Sequence, residues 1–135
     1  MTEHEPREAL YAHLRADSGV QAAVADRVYQ RRVPAGAQKP LIVVFPPVSR
    51  NTVRDLSGPA FWEQRLQVTA MGRTQLEAEV AAKAVMQAVE GFQGVMAGAV
   101  YVIDARVDSD NQIDQDDVDE IHHHVDVVVR YKSVE

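Results

Sequence analysis

The sequence lacks cysteine, long apolar runs and an excess of basic residues. Without cysteine there is no disulfide scaffold, no cysteine nucleophile, and no zinc or iron–sulfur site built on thiolates. No apolar run approaches the roughly 18 to 20 residues of a bilayer-spanning helix, and the first ten residues are too polar for a signal peptide. The formal net charge of −6 argues against a surface that binds DNA without sequence preference.

The composition is that of a globular protein with a core of its own. The chain has 135 residues, of which 46% are hydrophobic and 25% charged. A chain of this length buries about two-thirds of the surface that its unfolded form exposes, which needs no disulfide or metal support. No internal repeat or linker interrupts the sequence, so we expect residues 1–135 to form a single domain.

The acidic residues are concentrated in one stretch of the chain. Residues 104–120 contain eight acids and only Arg106 as a base, a net charge of −7, whereas the remaining thirteen bases and twelve acids sum to +1. We call residues 108–120 the acidic connection, because the pattern places them between the last two predicted strands. The protein is therefore nearly neutral apart from this segment.

Three helices are predicted from apolar periodicity and capping residues. The first covers residues 8–16, and the second is a short helix capped by Asp17 or Ser18. The third, Thr74–Glu90, starts with a capping box in which the Thr74 oxygen accepts an amide hydrogen bond and Glu77 returns one. Its apolar stripe is predicted to consist of Leu76, Val80, Ala84 and Ala88, flanked by Ala81, Val85 and Val89.

Strands are predicted where apolar residues are continuous or alternate. The predicted strands are 41–45, 63–71, 99–107 and the segment from Ile121 onward, with a possible short strand at Val28 and Tyr29. Residues 49–59 are predicted to be a loop or hairpin, and 94–98 a turn-rich bridge. The order α-α-β-β-α-β-β predicts an α+β fold, with a largely antiparallel mixed sheet and about three helices on one face.

No segment carries the pattern of a catalytic site. His122, His124 and Asp126 share one face of a strand and are weak candidates for a metal site, but a solvated strand end is the favoured interpretation. The acidic connection resembles a calcium loop only in part, since Ile113 and Asp119 replace the glycine and glutamate of that motif. There is no nucleophile elbow and no phosphate-binding glycine loop. No feature of the sequence implies a cofactor.

Two groups of residues are candidates for binding other macromolecules. The basic cluster Arg27, Arg31, Arg32 and Lys39 is modest, and a solvated loop is its favoured interpretation. Phe61 and Trp62 are either interface anchors or residues that close the core, with neither favoured. The residues alone thus predict an α+β domain without a visible catalytic site.

The order and spacing of short pieces along the chain resemble the phage tail-completion, or tail terminator, family. The resemblance covers residues 8–132, and its main pieces are Ala9-Leu10-Tyr11, Asp26-Arg27-Val28-Tyr29, Val33-Pro34-x-Gly36-x-x-Lys39-Pro40, Ile42-Val43-Val44-Phe45, Arg65-x-Gln67-Val68, Val89-Glu90-Gly91-Phe92 and Asp126-Val127-x-Val129-x-Tyr131. Each piece alone is only a turn, a cap or a strand. Together they are specific.

The resemblance implies a structural, non-enzymatic role in the virion, at the junction of tail and head. Such proteins form a ring, usually of six copies, that ends tube polymerisation and offers a surface to the head connector. The implied partners are further copies of the chain, the tail tube protein and the connector, with DNA only in transit and no membrane. Assembly would take place in the host cytoplasm. The interface candidates are Arg50, Arg54, Phe61 and Trp62.

Two alternatives remain open at this point: a head-completion or stopper protein of the connector, and a small metal-binding module that uses His122 and His124. For the ring, we hypothesise that the acidic connection lines the lumen and repels DNA, six copies giving a charge of about −42. The acids concerned are Asp108, Asp110, Asp114, Asp116, Asp117, Asp119 and Glu120. The competing interpretation is an acidic loop that orders only on contact with tube or connector.

Overall fold

The structure is a computed structural model that describes residues 6–47, 49–55, 58–98, 100–115 and 120–133; for 50–55, 58–60, 112–115 and 133 it describes the backbone alone. The elements are α1 Pro6–Ala16, α2 Ser18–Val24, β1 Val28–Gln30, β2 Leu41–Val44, β3 Ser49–Asp55, β4 Gly58–Gly72, α3 Gln75–Val89, β5 Gly94–Met96, β6 Val100–Gln115 and β7 Glu120–Ser133.

The seven strands form one sheet in the order β1-β2-β4-β7-β6-β5. Every neighbouring pair is antiparallel except β1 and β2, which run parallel. Strand β3 lies outside this order and pairs with residues 58–65 of β4. Because residues 62–65 of β4 also pair with β7, β3 lies on the side of β4 that faces away from β7, the same side as β2.

The three helices cover one face of the sheet, and the core lies between the two layers. Core side chains with no exposed surface come from both layers and include Leu10, Leu14, Val20, Val85, Ile42, Val44, Leu66, Val68, Val125 and Val127. Gln64 and Thr69 are buried polar residues of β4, and Gln64 Nε2 donates to Tyr131 Oη at 3.2 Å. The predicted α+β fold is therefore confirmed.

Capping side chains fix where α2 and α3 begin. The Asp17 carboxylate accepts the Val20 N–H at 3.0 Å, and the Thr74 hydroxyl accepts the Glu77 N–H at 3.2 Å. Glu77 returns its bond to the N–H of Arg73 rather than to Thr74, at 2.9 Å. This places a carboxylate at the positive end of α3, where it is favourable.

The predicted apolar stripe of α3 is wrong in its phase. Leu76 and Val80 are 68% and 49% exposed, whereas the helix buries Ala78, Ala81, Ala82, Ala84, Val85 and Val89. Small side chains let the helix approach the sheet closely: a methyl group at Gly72 of β4 would lie 2.7 Å from the Ala78 nitrogen. The helix is apolar on most of its circumference, so apolar spacing alone does not identify the face that approaches the sheet.

One open alternative is settled and two predicted boundaries are corrected. The hairpin alternative for residues 49–59 holds, since β3 pairs with the extended start of β4. The expected bridge at 94–98 contains strand β5. Strand β6 continues from Val107 to Gln115, so residues 108–115 of the acidic connection are paired strand. Sequence alternation detects strands with one apolar face, and this polar stretch has none.

Candidate functional site: the polar face of the sheet

The face of the sheet opposite the helices carries a network of polar and charged side chains, which we call the polar face. Alternation along the paired strands places its members there: Glu63, Arg65, Gln67 and Thr69 of β4, His122, His124, Asp126 and Arg130 of β7, and Asp104, Asp108 and Ser109 of β6. Most apolar strand residues face the helices instead, although Val43 and Val128, opposite Thr69 and Arg65, are buried on this face.

Arg65 connects three strands at the centre of the polar face. Its Nη1 lies 2.7 Å from Asp108 Oδ2 and 3.8 Å from Asp126 Oδ2, and Asp126 also accepts a hydrogen bond from the Ser109 hydroxyl at 3.0 Å. One cation thus serves two carboxylates. The three ionic side chains are each about one-third exposed, which leaves the group in contact with solvent.

Arg130 forms a second ionic group nearer the start of β4. Its Nε lies 2.9 Å from Glu63 Oε2 and its Nη1 3.9 Å from Asp104 Oδ2. The guanidinium also lies over the ring of Phe61, 6.0 Å from its centroid. The network therefore ties β4, β7 and β6 together on the face that the helices do not cover.

The histidines occupy the other end of the polar face. His124 Nδ1 lies 2.8 Å from Thr69 Oγ1 and 3.0 Å from Gln67 Nε2. Burial, together with the nearby His122, lowers the pKa of His124. His122 is hydrogen-bonded to Glu120, and that bond, with the Lys39 ammonium 3.0 Å away, lowers the pKa of Glu120.

The structure does not bring the weak metal candidates together as a ligand set. His122 and His124 have ring centroids 6.0 Å apart in an edge-to-face arrangement, and Asp126 is engaged by Arg65 and Ser109. Across the described ranges, no group of three His, Cys, Asp or Glu side chains is placed to hold a metal ion. The same residues instead stabilise the pairing of neighbouring strands.

The described acids of the acidic connection have cationic or histidine partners. Asp108 pairs with Arg65, Asp110 lies 2.7 Å from His123 Nε2, and Glu120 pairs with Lys39. Asp114 lies in β6 and only its backbone is described, while Asp116, Asp117 and Asp119 lie outside the described residues. Sequence reasoning counted these acids without their partners, because a partner is identified only once the strand register is known.

The interface candidates lie on the β3–β4 hairpin. Phe61 and Trp62 are half-buried, and Trp62 packs against the core beside Tyr131, its partner residue on β7. Arg50 and Arg54 belong to β3.

Sequence reasoning missed four exposed apolar side chains: Leu76, Val80, Val95 and Tyr101. Val95 and Tyr101 pair across β5 and β6. No helix in the described part of the chain is long and apolar enough to cross a membrane.

Comparison with known proteins gives one family and one shared fold. Residues 8–132 match the model of the family described as Tail completion protein gp17. The fold is similar to that of a chain in the solved virion of a native gene transfer agent (GTA) particle, with a TM-score of 0.79 and 18% sequence identity over 95% of this chain and 94% of that one. No curated protein matches the sequence.

Proposed function

Because this chain belongs to the gp17 family of tail completion proteins, and is therefore a structural protein of the phage tail and of the virion, we propose that it forms a ring on the head-proximal end of the tail tube. The ring, of six copies, ends tube polymerisation and joins the tail to the head connector. The observation that carries this proposal is the extent of the family match, which runs from α1 to the end of β7. Its role is structural and not catalytic.

A difference between the two sides of the subunit supports the proposed ring. A closed ring of identical subunits uses two different surfaces of each copy, so that every contact is heterologous. The two sides of this sheet differ, with β1, β2 and β3 on one side and β5 and β6 on the other. The two flat sides of the ring then contact the tube protein and the connector, after assembly in the host cytoplasm.

The acidic connection is proposed to face the lumen through which DNA passes. Fixed negative charge would repel phosphates and keep the DNA from adhering to the wall. The ion pairs of Asp108 and Glu120 reduce the charge below the sum of the acids. A variant with Asp116→Asn, Asp117→Asn and Asp119→Asn leaves those pairs intact. We expect particles that carry it to release DNA more slowly, and release at the wild-type rate would contradict the lumen position.

Deleting the gene in a strain that produces the particle tests the ring proposal directly. We expect electron micrographs to show tubes of uncontrolled length without heads, and complementation with the wild-type gene to restore tailed particles. Tubes of normal length that lack heads would instead assign the chain to the connector, as a head-completion or stopper protein. Normal particles in the deletion strain would refute both roles.

A further inference from the structure

We propose that copies of this chain join edge to edge, with β3 of one copy adding to residues 108–115 of β6 in the next copy as a further strand of its sheet. The inference rests on the proposed ring and identifies the contact that builds it. Among the described residues, two strand edges without a neighbouring strand, similar in length and opposite in charge, support it. The occupant of each edge is a second copy of the chain.

The first edge is the distal part of β6. Strand β5 covers only residues 100–102 of β6, and the turn after α3 covers the next residues: the Gly91 N–H donates to the Ala105 carbonyl at 2.9 Å, and the Glu90 carboxylate accepts the Val107 N–H at 2.6 Å. From 108 to 115, β7 is the sole strand paired with β6 among the described residues. The outward backbone groups along this edge are therefore available to another strand. Because strand pairing uses the backbone, the acidic side chains stay on the faces of the sheet, where they can still face the lumen.

The second edge is β3. This strand, Ser49–Asp55, pairs with β4 on one side, and the described part of the chain places no strand on its other side. Strand β2 lies on the same side of β4 but pairs further along it, with residues 68–71. An edge of seven residues in β3 thus matches an edge of eight residues in β6.

Charge favours pairing of the two different edges over pairing of like edges. Residues 108–115 of β6 contain three aspartates and no base, a formal charge of −3, whereas β3 contains Arg50, Arg54 and Asp55, a formal charge of +1. Two β6 edges brought together would oppose six aspartates. Arg65 does not remove this asymmetry, since it is shared between Asp108 and Asp126.

The positions of the two edges suit a closed ring. They lie on opposite sides of the sheet, because the strand order across it is β3, β4, β7, β6. They also lie at opposite ends of the sheet along the strand direction. The pairings of β4 and β7 place β3 beside residues 102–106 of β6, whereas the open edge of β6 is formed by residues 108–115. Pairing these edges would displace each copy along the strand direction relative to the previous one. Such a stagger is what a sheet of tilted strands needs in order to close on itself.

Cysteine cross-linking tests the contact against a background without cysteine. One variant carries Asn51→Cys in β3 and Asn111→Cys in β6, and a second carries Thr52→Cys with Asn111→Cys to cover the neighbouring register. Each is supplied to the deletion strain, and purified particles are oxidised. We expect a disulfide-linked ladder from dimer up to the full ring with at least one pair. Single-cysteine variants should stop at the dimer.

The control pair is Ser18→Cys with Asn111→Cys, because Ser18 is exposed at the start of α2 in the helical layer. Particles with normal tails whose β3–β6 pairs give no ladder, or no more than the control, would overturn the edge contact and leave the terminator role standing. Tubes of normal length in the deletion strain would overturn the terminator role itself. The two failures are therefore distinguishable.

Charge reversal provides a second test on the purified protein. Arg50→Glu with Arg54→Glu makes both edges acidic, and Asp110→Lys with Asp114→Lys makes both basic. We expect each double variant to weaken self-association at least about tenfold in sedimentation, and the quadruple variant to recover to within about threefold of wild type. Failure of the quadruple variant to associate, with a normal circular dichroism spectrum, would contradict the pairing.

Discussion

Arg65 of β4 reaches across β7 to form an ion pair with Asp108 of β6, with 2.7 Å between Nη1 and Oδ2. The pairing of β6 with β7 shifts register between Val107 and Ser109, so Asp108 is the extra residue of a bulge. A bulge re-aims a side chain and bends its strand. Here the bulge lies where the outer edge of β6 stops being covered by the turn after α3 and becomes free to pair. The contact with Arg65 holds the Asp108 side chain on the polar face at that point.

A double-mutant cycle on Arg65→Gln and Asp108→Asn measures this contact. We expect a coupling free energy of about 0.5–1 kcal/mol, because a partly exposed pair is screened by solvent. Arg65→Gln should cost more than Asp108→Asn, since it leaves Asp108 and Asp126 to repel each other. Urea unfolding at low salt and at 1 M NaCl provides the values, and the coupling should shrink in salt.

The Arg73–Glu77 pair serves as a matched control for that cycle. These residues are four apart at the start of α3, with 3.4 Å between their charged groups, and Arg73 is 67% exposed. Its coupling is expected to be about 0.3 kcal/mol, because an exposed ion pair contributes little to stability. A coupling at Arg65–Asp108 no larger than the control would mean that the three-strand ionic group adds nothing to stability.

Gly72 is predicted to be the least replaceable of the six glycines at positions 19, 36, 72, 91, 94 and 98. A methyl group there would meet backbone and Cβ atoms of Glu77 and Ala78 at 2.7 to 3.1 Å, which forces α3 away from β4. Gly72→Ala should therefore cost about 2 kcal/mol or more of unfolding free energy. Gly91→Ala should cost about 1 kcal/mol, because its site is open and the penalty comes from φ of +77°. Equal losses in urea titrations would contradict this ranking.

Thr74→Ala removes the cap of the helix that covers the sheet. Its hydroxyl satisfies the Glu77 N–H, so we expect a loss of about 1 kcal/mol in thermal or urea unfolding. Thr74→Ser keeps the oxygen and should stay within about 0.3 kcal/mol of wild type. A loss with serine equal to that with alanine would show that the methyl group, and not the hydrogen bond, supports the start of α3.

The fold was predictable where the burial of one face of a strand or helix makes apolar residues recur at regular intervals in the sequence. The alternation along β7 and the continuous run of β2 identify strands because one or both of their faces are apolar. The same reasoning ended β6 at Val107, since side chains 108–111 are exposed and polar although their backbone is paired. The same reasoning also placed Leu76 and Val80 on the buried face of α3. Which face of the helix is buried depends on where its alanines allow a close approach to the sheet.

The candidate site was predictable in its membership but not in its pairings. Alternation along β7 correctly placed His122, His124 and Asp126 on one face. In the structure, Arg65 pairs with Asp126 and Thr69 is hydrogen-bonded to His124. These contacts depend on the register between β4 and β7, which no local sequence pattern encodes. The charge of the acidic connection was overstated for the same reason, because its cations come from residues up to 81 positions away, as with Lys39 and Glu120.

The stability of the protein should fall as the pH drops below about 6.5, and His124 is a cause. Burial and the nearby His122 lower the pKa of His124, while Asp126 opposes the shift. A histidine with a lowered pKa in the folded state binds fewer protons there than in the unfolded chain, so acidification favours unfolding. The lowered pKa of Glu120 acts in the same direction, but in the range below its ordinary value of 4.5.

Urea unfolding at pH 7.5 and 5.5 isolates the contribution of His124 from that of Glu120. We expect the wild type to lose stability between these two values, and His124→Gln, whose side chain can still bond to Thr69, to lose less. His122→Gln should reduce the loss only in part, because burial is the larger cause of the His124 shift. A His124→Gln variant with the same pH dependence as wild type would exclude this residue and place the sensitivity elsewhere.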